Sequence, residues 1–161
     1  MHPSIHDLIK GRLEVVRADL NDALGRLTDA DLDWAPTEGM RTVGGQLREI
    51  AGTERQLLAL LKRGKQLSGE VANDFGEEGK SIEGLRRALT DVRGETLRYL
   101  DSLSEEDLAG FVPMPEGWFE SLNQREVPLA ENFRSIAQHE WYHVGQLVSY
   151  LWSRGDDPYK W

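Results

Sequence analysis

PLAENFRSIAQHEWYHVGQLVSYLWSR, residues 128–154, is the stretch that decides how this chain folds. Leu129, Phe133, Ile136, Val144, Leu147 and Leu151 recur at three- and four-residue spacings, the pattern of a helix that buries one stripe. Pro128 suits a first helical turn and Gly155 a stop, so the spacing predicts a helix from about Pro128 to Arg154. Working outward, three further segments carry the same periodicity. One, at about residues 4–27, uses Ile5, Leu8, Ile9, Leu13, Val16, Leu20, Leu24 and Leu27. A second, at about residues 42–63, uses Val43, Leu47, Ile50, Leu57, Leu58 and Leu61, with Gly64 as its stop. The third starts at the N-cap Ser81 and runs through Ile82, Leu85, Leu89, Val92, Tyr99 and Leu103. Four helices of this length predict an all-α four-helix bundle. The connection KQLSGEVANDFGEEGK, residues 65–80, is long enough for a crossover between the second and third helices. LTDADLDWAP (27–36) and LSEEDLAGFVP (103–113) echo one another as capped helix ends, which suggests that the second and fourth helices occupy comparable places.

Composition narrows the function. With 161 residues, 39% of them hydrophobic, residues 1–161 suit a single domain with a substantial core. The net charge of -9 and the sequence pI of about 4.9, without any Lys/Arg run, disfavour nucleic acid and anionic membrane surfaces as partners. The absence of cysteine excludes disulfides, thiolate metal sites and a cysteine nucleophile. No signal peptide and no apolar run of membrane-spanning length is visible, so a cytoplasmic protein is expected.

Within the last helix, HEWYH, residues 139–143, spells the zinc-protease pattern H-E-x-x-H. At 100° per residue His139 and His143 lie about 40° apart and about 6 Å along the axis, so both imidazoles can reach one metal ion. Asn132, Gln146 and Tyr150 fall within about 20° of one or other histidine, forming a polar strip at the edge of the apolar stripe. A protease would need a third His or Glu beyond the motif, and the residues after His143 contain neither. Glu140 points toward the apolar stripe, which suits a supporting residue better than a water-activating base.

A third ligand would then come from LREIAGTERQLL, residues 47–58. Glu54 sits near the centre of that helix's apolar stripe, where a carboxylate must be buried and needs a partner. Glu49 sits on the flank, where spacing alone reads it as a surface charge in an Arg-Glu pair. Either carboxylate would complete a two-histidine, one-carboxylate site with open coordination positions.

HEWYHVGQLVSYLWSRGDDP (139–158), TVGGQLREIAGTERQLL (42–58), DLDWAP (31–36) and the four-helix layout together resemble the DinB-like family of helical-bundle metal proteins, which includes thiol-dependent S-transferases. The resemblance implies an up-down-down-up bundle and a divalent metal, zinc or nickel foremost with manganese or iron behind them. Its ligands would be His139, His143 and a second-helix position held by histidine in the family and by Glu49 here, a harder oxygen ligand. Glu54, Gln146, Tyr150, Asn132 and Tyr142 are the expected pocket residues, with Trp118 and Phe119 as possible walls. The implied activity is S-transfer from a low-molecular-weight thiol or hydrolysis, acting on a small-molecule substrate, in a homodimer. The competing expectation is a non-catalytic binding or dimerisation module whose metal site is degenerate. Trp34 and Trp152 are read as packing residues, and His2 and His6 as solvated.

Overall fold

The computed structural model describes residues 2–113 and 125–161. Its long helices are α1 (Ile5–Leu24), α2 (Val43–Arg63), α4 (Ile82–Asp101) and α6 (Leu129–Ser153). Two five-residue helices, α3 (Gly69–Asn73) and α5 (Glu105–Ala109), lie in the connections. The helix starts follow their caps. Ser4 and Asp7 form a capping box before α1, and the hydroxyls of Thr42 and Ser81 accept from Gly45 and Gly84 to open α2 and α4. Gly64 ends α2 in the left-handed conformation, φ 59°, which glycine adopts without a Cβ penalty. Both halves of the sequence echo prove to be capping boxes, Thr28 with Asp31 and Ser104 with Asp107.

Cross-helix bonds give the topology. Arg17 meets Glu140, Asp19 meets Trp141 and Arg26 meets Arg154, so α1 and α6 run parallel. Arg48 reaches Gly79, Thr96 reaches Glu54 and Tyr99 reaches Leu61, so α2 and α4 run parallel as well. His6 meets Leu100 and Arg17 meets Leu89, which makes α1 and α4 antiparallel. Tyr150 meets Arg41 and His143 meets Gln46, so α6 is antiparallel to α2. The bundle is therefore up-down-down-up, and the segment carrying α3 is the crossover. Gly84 allows this crossover to close, since a Cβ there would lie 2.2 Å from the Glu78 carbonyl oxygen. The apolar stripes converge on one cluster that includes Leu13, Leu20, Leu47, Ile50, Leu85, Leu89, Phe133 and Leu147.

Three details differ from the sequence expectation. The connection before the last helix contains an antiparallel pair, β1 (Phe111–Pro113) and β2 (Glu126–Pro128), registered Val112 to Val127. Pro128 ends β2 and stands as the N-cap of α6 instead of in its first turn. The first helix stops at Leu24, capped by Gly25, while Leu27 stays buried beyond its end. Trp118 and Phe119 lie outside the described residues. No described helix is long and apolar enough to cross a membrane.

His6 is engaged and not simply solvated. Its Nδ1 lies 2.9 Å from Glu105 Oε1 and its Nε2 3.1 Å from the Leu100 carbonyl, tying the start of α1 to α5. The Glu105 contact raises the His6 pKa above 6.5 and holds Glu105 below 4.5. A raised histidine contributes stability that is present below 6.5 and lost as pH rises through its folded value. The lowered carboxylate contributes above 4.5 and loses that contribution as pH falls through its folded value. His6→Ala is therefore expected to cost more stability at about pH 5.5 than at about pH 8 in urea melts. An equal cost at both pH values would rule out the charged pair.

Candidate metal centre

The site lies on the seam between α2 and α6, which run side by side in opposite directions. His139 and His143 project from one face of α6, their ring centroids 4.7 Å apart. Across the seam Glu49, on the flank of α2, turns its carboxylate toward them. One ligand atom from each of Glu49, His139 and His143 lies within 4.8 Å of the other two. The His143 Nε2 to Glu49 Oε2 separation is 3.7 Å. A tetrahedral ion with bonds of about 2.0–2.1 Å spaces its ligands about 3.3–3.4 Å apart, so this pair is already near the required edge. Of the two carboxylates the sequence offered, Glu49 is the one that reaches the histidines.

The surroundings prepare these groups for a cation. Gln46, fully buried one turn before Glu49, sets its Oε1 3.3 Å from His143 Nδ1. An amide oxygen only accepts, so Nδ1 carries the ring proton and Nε2 presents its lone pair to the site. Burial, reinforced by His139 and the Arg41 guanidinium, pushes His143 down to about 4. Burial likewise lowers His139, against the opposing charge of Glu140. Both rings are thus neutral ligands at neutral pH. Glu49 Oε2 is buried and, among the described residues, accepts no hydrogen bond, although the Arg41 guanidinium lies against it as an ion pair. A buried carboxylate oxygen beside two neutral imidazoles is a donor set that fits a divalent cation.

Gln46 was not singled out by sequence reasoning. Its signal is a polar residue three positions before Glu49 on the inward side of α2. Gln46→Ala is expected to weaken divalent-metal binding by roughly 10- to 100-fold, the usual effect of losing a group that orients a ligand. Chelator competition measures this, and an unchanged affinity would remove Gln46 from the site.

The triad opens into two cavities. One, of about 460 Å³, is lined by Met40, Arg41, Tyr142, Gln146 and Tyr150 together with the triad. The other, of about 510 Å³, shares Glu49, His139 and Tyr142 and adds the uncharged Thr53, Gln56, Ser135 and Gln138. Gln146, Tyr142 and Tyr150 line the first of these cavities beside the triad. The Tyr150 hydroxyl is occupied, donating to the Arg41 carbonyl at 2.9 Å while its ring packs edge-on against Trp34. Trp34 is a packing residue, whereas Trp152 is half exposed and stacks edge-on with Tyr159.

Two expected pocket residues lie elsewhere. Asn132, two turns before His139, is fully buried, lines neither cavity and, among the described residues, has neither amide atom hydrogen-bonded. Glu54 is drawn into the core instead. Its Oε1 accepts from Arg93 Nε at 2.8 Å and from the Thr96 hydroxyl at 2.5 Å, and its Oε2 from Arg93 Nη2 at 3.2 Å. Glu140 joins the same cluster, accepting from Arg17 Nε at 2.6 Å and pairing with Arg93. Two arginines and two glutamates, one from each long helix, thus form a charge-balanced quartet in which Glu54, Arg93 and Glu140 are buried and Arg17 is partly exposed. The carboxylates outweigh the burial that opposes the Arg93 charge and raise its pKa. With both oxygens engaged, Glu140 is unavailable as a water-activating base, and H-E-x-x-H here does not make a protease site.

An up-down-down-up bundle with two histidines and a carboxylate gathered on antiparallel helices defines a helical-bundle protein with a candidate divalent-metal centre. The chain belongs to the DinB superfamily, whose family profile matches residues 12–147. A crystal structure titled as the conserved protein of a locus from Enterococcus faecalis is similar in fold, with a TM-score of 0.68 at 18% identity over 92% of this chain and 95% of that one. No curated protein matches the chain in sequence.

Proposed function

We propose that this protein is a divalent-metal-dependent enzyme acting on a small molecule, by thiol S-transfer or by hydrolysis. The observation that carries the reading is the convergence of Glu49, His139 and His143 at the junction of two solvent-reaching cavities. A structural metal site is closed by four protein ligands, whereas three leave a position for a reactant. A cation held there would act as a Lewis acid and lower the pKa of a water or thiol at its open position. The protein's own part is to hold the ligands in one protonation state, through Gln46 and burial, and to shape the space on either side. Tyr142 lines both cavities, where it would wall the space in which a nucleophile meets its acceptor.

A panel of small electrophiles and esters, assayed with and without a low-molecular-weight thiol and before and after chelation, tests the reading. Turnover that needs both metal and thiol identifies S-transfer, and turnover that needs metal alone identifies hydrolysis. Stoichiometric metal without turnover in any arm would contradict the enzyme reading and favour a binding module.

A further inference from the structure

Beside the Glu49 ligand, Arg41 is the charged residue of the described site to which the metal reading gives no contact with a reactant. Among the described residues it is the only Arg or Lys lining the 460 Å³ cavity, and its side chain is half exposed. Its position is built. The Tyr150 hydroxyl holds the Arg41 carbonyl at 2.9 Å, and the Thr42 hydroxyl caps α2 at the next residue. Gly45 leaves room for the aliphatic stem, because a Cβ there would stand 3.0 Å from Arg41 Cγ and 3.7 Å from Cδ. The stem therefore lies along α2 and delivers the guanidinium to Glu49, one turn further on. The neighbouring ends are fixed as well, since Val43 N–H donates to the Trp34 carbonyl and Gly44 N–H to the Leu32 carbonyl.

This contact is an ion pair at the mouth of a cavity, in the place where a cation would neutralise Glu49. A divalent ion on Glu49 competes with the guanidinium for the same oxygen. Once displaced, the Arg41 guanidinium remains within reach of the cavity that its side chain lines, since its backbone is held by Tyr150. The local balance then changes from neutral, Arg41 with Glu49, to a net charge of about +2 from the ion, Arg41 and Glu49 between two neutral imidazoles. Such a site attracts anions. A guanidinium fork suits a planar carboxylate, and a carboxylate is the group Arg41 already binds.

We propose that Arg41 is the substrate-recognition residue of this centre, exchanging the Glu49 carboxylate for a carboxylate of the substrate when a divalent cation binds. This inference rests on the metal reading of the triad and deepens it. The substrate class is a small carboxylic acid, and cation and acid bind with positive coupling. Without the cation, the guanidinium stays on Glu49 and the acid finds no free partner. The adjoining 510 Å³ cavity, lined beyond Glu49 and His139 by hydroxyls and amides and among the described residues by no Arg or Lys, would take the uncharged remainder of the substrate or a second reactant.

The test uses zinc and benzoate, whose single carboxylate cannot chelate zinc strongly, on the full chain as wild type and Arg41→Gln. Zinc affinity is read by competition with a chromophoric chelator, and benzoate affinity by calorimetry with and without zinc. Arg41→Gln is expected to raise zinc affinity roughly three- to tenfold, the scale of a partly exposed ion pair. Zinc is expected to tighten benzoate binding to the wild type by about tenfold or more, and Arg41→Gln to abolish that gain. Inorganic phosphate serves as the competing anion, and phosphate binding more tightly than benzoate in an Arg41-dependent way would overturn the carboxylate assignment. Benzoate bound equally by zinc-loaded wild type and Arg41→Gln would mean that the acid sits on the metal alone, and Arg41 would lose its role while the triad stands. Failure of zinc to bind either protein would remove the metal centre itself, and this inference with it.

Discussion

Arg93→Met is expected to destabilise the fold by about 3–5 kcal/mol, the range for removing one partner from a buried ion pair. Arg93 is almost fully buried and touches three helices besides its own: its Nη1 donates to the Leu13 carbonyl at 2.7 Å, and its other nitrogens serve Glu54 and Glu140. Removing it leaves two buried carboxylates facing Arg17 alone, whose Nη2 is already stretched between Glu54 at 3.4 Å and Glu140 at 3.3 Å. The cost comes from this uncompensated charge, because methionine fills much of the same volume. In a chain of this size it corresponds to a fall in Tm of roughly 10–15 °C. A loss below about 1 kcal/mol would show that the quartet makes no net contribution against its own desolvation. Replacing all four members by apolar residues together is expected to cost far less than removing Arg93 alone, which separates charge balance from packing.

Glu49→Ala is expected to abolish metal retention while leaving the fold intact. Glu49 is only partly buried, and none of the core bonds between helices runs through it. Truncation therefore removes a ligand without opening a cavity in the core. Among the described residues it removes the only carboxylate within reach of both histidines, since Glu54 and Glu140 are held by arginines. It also releases Arg41 beside two imidazoles, and that positive charge opposes an incoming cation. The two effects act in the same direction, so two histidines alone should not retain a divalent ion through purification. Glu49→Ala that keeps its metal would place the third ligand elsewhere.

The four helices were legible because each long segment carries an apolar stripe closed by its own cap or stop, as Ser81 and Gly64 illustrate. The up-down-down-up order, which periodicity alone leaves open, was implied by the family resemblance, and the cross-helix bonds agree with it. The strands Phe111–Pro113 and Glu126–Pro128 were not legible, because three residues are too few to show alternation and proline marks such stretches as loop. At the site, helical spacing paired His139 with His143 correctly, and the demand of a buried carboxylate for a partner foretold that Glu54 would be neutralised. Its partners were hidden because arginines on helices ordinarily read as solvated. Yet Arg93, four residues after Leu89 and three before Thr96, already lay on the buried face of α4. Spacing could not choose between Glu49 and Glu54, since that choice depends on how α2 is rotated against α6. Arg41 was illegible for a different reason. It lies in a loop without periodicity, and its placement depends on Tyr150, more than a hundred residues away.

Elemental analysis of the untagged protein, purified without added metal, with Glu49→Ala and His143→Ala prepared in parallel, tests the central claim most directly. The account predicts one equivalent of a divalent metal in the wild type and none retained in either variant, with all three proteins equally helical. A wild type that holds no metal and takes none up on titration with zinc or nickel would contradict it.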